Sequence, residues 1–136
     1  MSNHWATSYI GIPYLEGGRH RIGLDCWGLL RLVYLDHEGI ELPLLPGITE
    51  KNILTISREV VEQLESYWTE LPCPLERSGV AMSLQTVPHH VGIWTNADGG
   101  KVLHAWNGNS VVAETLRSLK TRGMRTIKFY RYGIHH

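Results

Sequence analysis

The sequence has little that would direct it to a membrane or to nucleic acid. Its 136 residues carry 13 basic and 13 acidic side chains, which balance to a formal net charge of zero. This balance argues against a broad nucleic-acid-binding patch and against a polybasic membrane anchor. No apolar run approaches the roughly 20 residues of a membrane span, and residues 1–5 lack the charged and apolar regions of a signal peptide. We therefore expect a chain made in the cytoplasm and folded as a single domain over residues 1–136.

Cysteine is scarce, and the two that occur, Cys26 and Cys73, form neither a C-x-x-C motif nor a disulfide framework. Cys73 lies between two prolines, which disfavour a helix there, and we assign it no role. Cys26 follows the glycine-rich segment 16–23 and opens the apolar run 24–34. This pattern predicts a loop that delivers Cys26 to the first turn of a buried helix. The positive end of the helix would lower the thiol pKa and create a nucleophile; the alternative is a buried structural cysteine.

The apolar pattern predicts helices first and strands afterwards. Helical spacing predicts a central helix over residues 24–38, ended by Gly39, and an amphipathic helix within residues 50–69. From Gly79 onward the period changes to two, which is typical of strands. The segments with this period are residues 80–84, 90–94, 101–106, 110–113 and 126–132. The order favours an α+β fold in which an antiparallel sheet packs on the Cys26 helix.

Two histidines, His90 and His104, fall on neighbouring predicted strands. Opposed residues of an antiparallel hairpin have a constant sum of residue numbers, and side chains alternate between faces. A loop centred near Ala97 gives an even sum, which places both histidines on one face. Their Cβ atoms would then be about 5 Å apart if they are opposite each other and about 7–8 Å apart if they are diagonal. We expect this face to pack against the helix start that carries Cys26.

Such an arrangement has the groups that nucleophilic catalysis requires. Cys26 would be the nucleophile, His90 the general base and later the acid, and His104 the group that orients His90. The backbone N–H of Cys26 and the Tyr14 hydroxyl would stabilise an oxyanion. A zinc site made of Cys26, His90 and His104 is the alternative, but no fourth ligand and no H-x-x-x-H spacing supports it. We therefore predict no metal and no cofactor.

Four segments together resemble the motifs of NlpC-type cell-wall endopeptidases, which are compact papain-like cysteine peptidases. They occur in the order of that family, and they are Ile12-Pro13-Tyr14-Leu15-Glu16-Gly17-Gly18, Gly23-Leu24-Asp25-Cys26-Trp27-Gly28-Leu29, His90-Val91-Gly92-Ile93-Trp94 and Val102-Leu103-His104-Ala105. The resemblance implies a papain-like α+β fold with a central N-terminal helix on an antiparallel sheet. It also implies the same roles for Cys26, His90 and His104, with Tyr14 near the oxyanion site.

Residues beside the nucleophile and on the histidine face are the candidates for substrate contacts. These candidates are Asp25, Trp27, Gly28 and Trp106. Two positions depart from the family pattern, because Trp27 stands where the family usually has Ser, and Ser78-Gly79-Val80 lacks the acidic residue of the usual Gly-Asp turn. Both departures bear on the shape of the pocket and on the choice of substrate.

The resemblance implies a function at the bacterial cell wall. The family cleaves the peptide stems of peptidoglycan, often between D-glutamate and a diamino acid, and needs no metal. Relatives of this short form, with Trp after the Cys, look like proteins of phage tail tips, which implies a place in a virion tail and other tail proteins as partners. The alternatives are a structural tail-assembly module with weak or no activity, and an amidase, deamidase or acyltransferase effector with the same thiol chemistry.

Overall fold

The computed structural model of the chain describes residues 4–45, 53–83, 90–105 and 109–133. The α-helices of this part are α1 (Cys26–Glu38), α2 (Ile53–Tyr67) and α3 (Leu116–Thr121). The strands are β1 (Arg19–His20), β2 (Gly23–Leu24), β3 (Trp68–Leu71), β4 (Gly79–Ser83), β5 (His90–Thr95), β6 (Lys101–Ala105), β7 (Val111–Glu114) and β8 (Thr126–Tyr132). None of the helices in these ranges has the length and apolar character to cross a bilayer.

Six of these strands form one antiparallel sheet in the order β3-β8-β4-β5-β6-β7. The first two strands, β1 and β2, form a separate hairpin that leads into α1. The α1 helix packs mainly on β5, in the middle of the large sheet. This architecture confirms the predicted α+β class with an N-terminal helix packed on an antiparallel sheet.

Local sequence holds α1 at both ends. Asp25 is the N-terminal cap, and its carboxylate accepts the N–H of Gly28. Gly39 ends the helix in the left-handed conformation with φ of 68°, which glycine adopts without the steric cost that a side chain brings. The helix begins at Cys26 rather than at Leu24, because Leu24 belongs to β2. Cys26 is the first helical residue and so lies in the first turn of the helix, as the sequence predicted.

Alternating side chains give the large sheet two apolar faces. The face that packs on α1 comprises Ala81, Val91, Ile93, Leu103, Ala105 and Val111. The other face packs with Leu119 of α3 and with Met124, and it comprises Val80, Met82, Trp94 and Val102. Because every second residue of a strand shares a face, His90 and His104 lie on the face that α3 covers.

The register of β5 and β6 confirms that the two histidines share a face. Ile93 pairs with Leu103, so the sum of paired numbers is even. Continuing this register sets His104 opposite Gly92 and diagonal to His90. The expectation that the histidine face packs against the start of α1 is wrong, because the odd-numbered residues of both strands form the larger apolar set and face α1.

The other predicted elements form with small changes at their ends. The amphipathic helix lies within the predicted range, and β8 has the predicted bounds. The strand predicted over residues 110–113 runs one residue further, to Glu114. Leu84 and Trp106, which were predicted strand ends, lie outside the described residues.

We expect Gly28 to tolerate no side chain, although it lies within α1. A Cβ built there would lie 1.9 Å from the carbonyl oxygen of Gly18. An Ala usually stabilises a helix by about 1 kcal/mol relative to Gly, but overpacking reverses the sign here. Gly28→Ala should lower the free energy of unfolding by about 1–3 kcal/mol in urea denaturation.

Gly39→Ala, at the end of the same helix, is the control for this measurement. Nothing lies within 4 Å of a Cβ built at Gly39. The alanine in this variant is therefore strained only by the left-handed backbone conformation, which costs about 1–2 kcal/mol. A Gly28→Ala protein as stable as the wild type, or more stable, would contradict the close packing of the glycine loop on α1.

Candidate active site

Asp25 fixes the start of α1 to the preceding loop. Its Oδ1 accepts the Gly28 N–H at 2.7 Å, and its Oδ2 accepts the Gly17 N–H at 2.9 Å. Burial raises the pKa of Asp25, and these two hydrogen bonds oppose the rise. Both carboxylate oxygens therefore hold backbone in place, and the predicted contact of Asp25 with substrate stays a prediction.

Cys26 presents its sulfur to three backbone N–H groups. The backbone N–H groups of Val91, Trp27 and Cys26 lie near the sulfur, where their dipoles favour a thiolate. Val91 precedes the stretch of β5, residues 93–95, that pairs with β6, and its N–H is directed to the sulfur instead. The sulfur thus lies next to the peptide group that joins His90 to Val91. Cys26 as a whole is only 7% exposed.

Burial raises the pKa of the Cys26 thiol to about 12, and the nearby charge of Asp25 adds to the rise. The three N–H groups at the sulfur oppose this rise without overcoming it. The expectation of a lowered thiol pKa at the helix N-terminus is therefore wrong, because lost solvation outweighs a few N–H dipoles. The resting protein holds a neutral thiol near neutral pH, so a base has to remove its proton before it can act as a nucleophile.

His90 and His104 are in direct contact on the α3 side of the sheet. His90 Nε2 lies 2.9 Å from His104 Nδ1, and the two rings are nearly perpendicular at 84°. Both residues are buried, with exposed fractions of 7% and 1%. The contact joins β5 to β6 along the diagonal, which is one of the two geometries that the sequence predicted.

Glu114 extends this contact to a third strand. Its Oε1 lies 2.8 Å from His104 Nε2. Ser118 Oγ and Arg122 Nε, from α3 and its C-terminal cap, each donate to the other oxygen, Oε2, at 2.7 Å. A continuous line of hydrogen bonds therefore runs from His90 through His104 and Glu114 to α3.

The sequence reasoning missed Glu114, although the signal was present. His104 pairs with Val112 in the β6–β7 ladder, so Glu114 is the next residue of β7 on the histidine face. The predicted strand stopped at Ala113. Extending the alternation by one residue would have placed a carboxylate diagonal to His104.

The protonation states of this line follow from its surroundings. Burial lowers the pKa of His104, and the hydrogen bond and charge of Glu114 oppose this only in part. Burial acts to raise the pKa of Glu114, but the hydrogen bonds from Ser118, Arg122 and His104 outweigh it and lower that pKa below its ordinary value. Near neutral pH a carboxylate therefore faces a neutral imidazole.

The Tyr14 hydroxyl lies within electrostatic range of the Cys26 sulfur. Its backbone N–H donates to the Asn109 carbonyl at 3.1 Å, and its backbone forms a bridge with Leu24. Burial raises the pKa of Tyr14 to about 12, and the charges of Cys26 and Asp25 add to the rise. The hydroxyl keeps its proton near neutral pH and is available as a donor; its catalytic role stays a prediction.

The remaining predicted contact residues differ in what surrounds them. Trp27 is buried, and its indole Nε1–H donates to the Pro43 carbonyl at 2.7 Å. Gly28 is held against the Gly18 carbonyl. Trp106 lies outside the part of the chain that the structure describes. Trp27 and Gly28 thus have clear packing roles, and contact of any of the three with substrate stays a prediction.

The alternative of a zinc site finds no geometric support. Among the residues with described positions, no group of three His, Cys, Asp or Glu is arranged to hold a metal ion. The nearest nitrogens of His90 and His104 face each other at hydrogen-bond distance. The second nitrogen of His104 faces Glu114, so both ring nitrogens of His104 are directed at protein groups.

Comparison with solved structures assigns the fold. The NlpC/p60 domain of the peptidoglycan hydrolase SagA matches with a TM-score of 0.62 and 22% sequence identity, over 91% of each chain. A protein similar to lipoproteins of the NLP/P60 family, from Staphylococcus aureus, matches with a TM-score of 0.58 and 22% identity, over 96% of this chain and 39% of that one. This chain has an NlpC/p60 fold. Its sequence matches no family model and no curated protein. The NlpC/p60 fold is the one that the motifs around Cys26, His90 and His104 predicted.

The buried thiol is expected to destabilise the protein at alkaline pH. In the unfolded chain the Cys26 thiol loses its proton near pH 9, whereas the folded thiol keeps it until about pH 12. Its contribution to stability is complete below pH 9 and is lost as the pH rises towards 12, at up to about 1.4 kcal/mol per pH unit. Cys26→Ser should therefore show a shallower loss of unfolding free energy between pH 9 and pH 10.5, measured by urea denaturation.

Cys73→Ser is the matched control for this experiment, because Cys73 is exposed. Its loss of stability with pH should equal that of the wild type. Burial also raises the pKa values of Tyr9 and Tyr34, but these residues act equally in all three proteins. Equal slopes for the wild type and Cys26→Ser would contradict the raised thiol pKa.

Proposed function

We propose that this chain is a cysteine-dependent hydrolase that cleaves the peptide stems of bacterial peptidoglycan. The observation that carries the proposal is the position of the Cys26 sulfur beside the peptide group that joins His90 to Val91. The His90 ring is in turn hydrogen-bonded to His104. Nucleophilic hydrolysis requires a nucleophile, a base and a group that orients the base. The substrate class is supported by the NlpC/p60 fold, since one protein with this fold is described as a peptidoglycan hydrolase.

In the proposed reaction His90 first takes the proton from the Cys26 thiol. The thiolate attacks the carbonyl carbon of the stem peptide, and negative charge develops on the carbonyl oxygen. The Cys26 N–H and the Tyr14 hydroxyl are near the sulfur and are the donors for this oxygen. His90 then gives its proton to the leaving amine, which leaves a thioester on Cys26. Water attacks the thioester as His90 takes its proton, and the thiol is restored when the acid is released.

The bond that we propose as the target joins D-glutamate to the diamino acid of the stem. This choice rests on the resemblance of the segments around Tyr14, Cys26, His90 and His104 to NlpC-type endopeptidase motifs. The product masses in the experiment below identify the bond directly.

A structural module with the same fold and little activity is the second candidate. One observation favours it, which is that burial holds the pKa of the Cys26 thiol at about 12. A protein without catalysis would retain such a neutral thiol as a small buried apolar group. The digestion experiment separates the two candidates.

Purified peptidoglycan is the substrate for the decisive test. The wild type and Cys73→Ala should release soluble fragments whose masses show cleavage between D-glutamate and the diamino acid. Cys26→Ala should be at least about 10³-fold slower, because no other group can form the thioester. Cys73→Ala is the control for the loss of a thiol outside the site.

Two results would contradict the proposal. Peptidoglycan left intact by the wild type would favour the structural module. Equal cleavage by the wild type and Cys26→Ala would exclude Cys26 as the nucleophile.

We further propose a phage tail as the setting of this activity, with other tail proteins as partners. The support is the resemblance of the short form, with Trp27 directly after Cys26, to proteins of phage tail tips. Mass spectrometry of virions, purified after induction of a strain that carries the gene, should detect peptides of this chain. Their absence from purified virions, together with their presence in the host cells, would contradict a virion location.

A further inference from the structure

We infer that Glu114, held in place by Ser118 and Arg122, is a positioning residue that fixes which ring nitrogen of His90 accepts a proton. The catalytic consequence of this inference rests on the proposed function, whereas its structural part does not. It adds a residue from a third strand to the four side chains that the sequence predicted, which are Cys26, His90, His104 and Tyr14.

The Glu114 carboxylate determines which ring nitrogen of His104 carries the proton. An ionised carboxylate only accepts hydrogen bonds. Ser118 Oγ–H and Arg122 Nε–H donate to Oε2 of Glu114, and Oε1 lies 2.8 Å from His104 Nε2. His104 Nε2 must therefore be the donor. The lowered pKa of Glu114 agrees with an ionised carboxylate in this position.

His104 in turn determines which ring nitrogen of His90 carries the proton. A neutral imidazole with its proton on Nε2 has an unprotonated Nδ1 that accepts, and burial lowers the pKa of His104 so that it stays neutral. His90 Nε2, which lies 2.9 Å from His104 Nδ1, must then donate. Neutral His90 therefore carries its proton on Nε2, and Nδ1 is the nitrogen that accepts the proton of Cys26.

The opposite tautomer would stop the proposed reaction. With a proton on Nδ1, neutral His90 would present an N–H group where a base is needed, and the neutral thiol of Cys26 would keep its proton. Two side chains, His104 and His90, separate Glu114 from the reacting sulfur. Glu114 is therefore a positioning residue rather than a catalytic one. Anchoring by α3 keeps the carboxylate oriented for this purpose.

Glu114→Gln keeps the size of the side chain but places a hydrogen-bond donor, instead of an acceptor, opposite His104 Nε2. The Arg122 Nε–H only donates, so the amide oxygen takes the position of Oε2 and the NH₂ group faces His104 Nε2. His104 Nε2 then has to accept, its proton moves to Nδ1, and His90 Nε2 becomes an acceptor. Both tautomers reverse, and the His90 proton comes to lie on Nδ1.

The experiment is ¹⁵N NMR of the imidazole rings in the full-length protein at a pH where both histidines are neutral. The wild type should show the Nε2–H tautomer for His90 and for His104. Glu114→Gln should show the Nδ1–H tautomer for both and should cleave purified peptidoglycan on the order of 10²- to 10⁴-fold more slowly. Glu62→Gln, which removes the same charge from an exposed position on α2, should keep the wild-type tautomers and cleavage rate.

The outcomes separate this inference from the proposed function. A wild type with the proton on His104 Nδ1 would overturn the inference, and this result does not depend on whether the variant folds. A folded Glu114→Gln protein that keeps the wild-type tautomers, or cleaves as fast as the wild type, would also overturn it. The expected tautomers and their reversal, in a wild type that leaves peptidoglycan intact, would support the positioning by Glu114 and contradict the proposed function.

Discussion

The approach of the Val91 N–H to the Cys26 sulfur is the interaction on which the site depends. It joins the first residue of α1 to the beginning of β5. The two apolar cores lie on opposite faces of this strand. Val91 pairs with β4 but precedes the stretch of β5 that pairs with β6, so its N–H can face the sulfur instead of β6. The position of the thiol is therefore set both by the Asp25 cap and by the register of the sheet.

The two sides of the sheet contribute different chemistry. The α1 side supplies the sulfur within a large apolar core, and burial there keeps the thiol neutral. The α3 side supplies the hydrogen-bonded side chains of His90, His104 and Glu114, in a diagonal line over β5, β6 and β7. Each of these groups stands on a regular element, so its position follows from strand register and from one short helix. Rigid elements hold such a constellation more closely than loops do.

Local patterns in the sequence predicted most of the elements, because caps and periodicity are local properties. Gly39 marked the end of α1, and the even sum of paired residues placed His90 and His104 on one face. Parity alone, however, relates side chains to each other and does not say which face meets the helix. The larger apolar set decides which face meets the helix. This set consists of the odd-numbered residues of β5 and β6, whereas the histidines occupy even-numbered positions on the other face.

Two further differences arise from tertiary structure. The thiol pKa was misjudged because the helix N-terminus is visible in the sequence, whereas the depth of burial of Cys26 is not. Glu114 was missed because the predicted strand ended one residue early, at Ala113, whereas the pairing of β7 with β6 continues to Glu114. Local motifs thus pointed to Cys26, His90 and His104 as candidate site residues, but they did not reveal the environment of those residues.

Burial of Cys26 also governs how the protein meets oxidants. Peroxides and disulfides react with thiolates far faster than with thiols, so the neutral thiol of the buried Cys26 resists conversion to sulfenic acid. Cys73 lies on the surface and is the first sulfur that an oxidant reaches. Air or peroxide would therefore modify the surface thiol while the interior sulfur stays reduced.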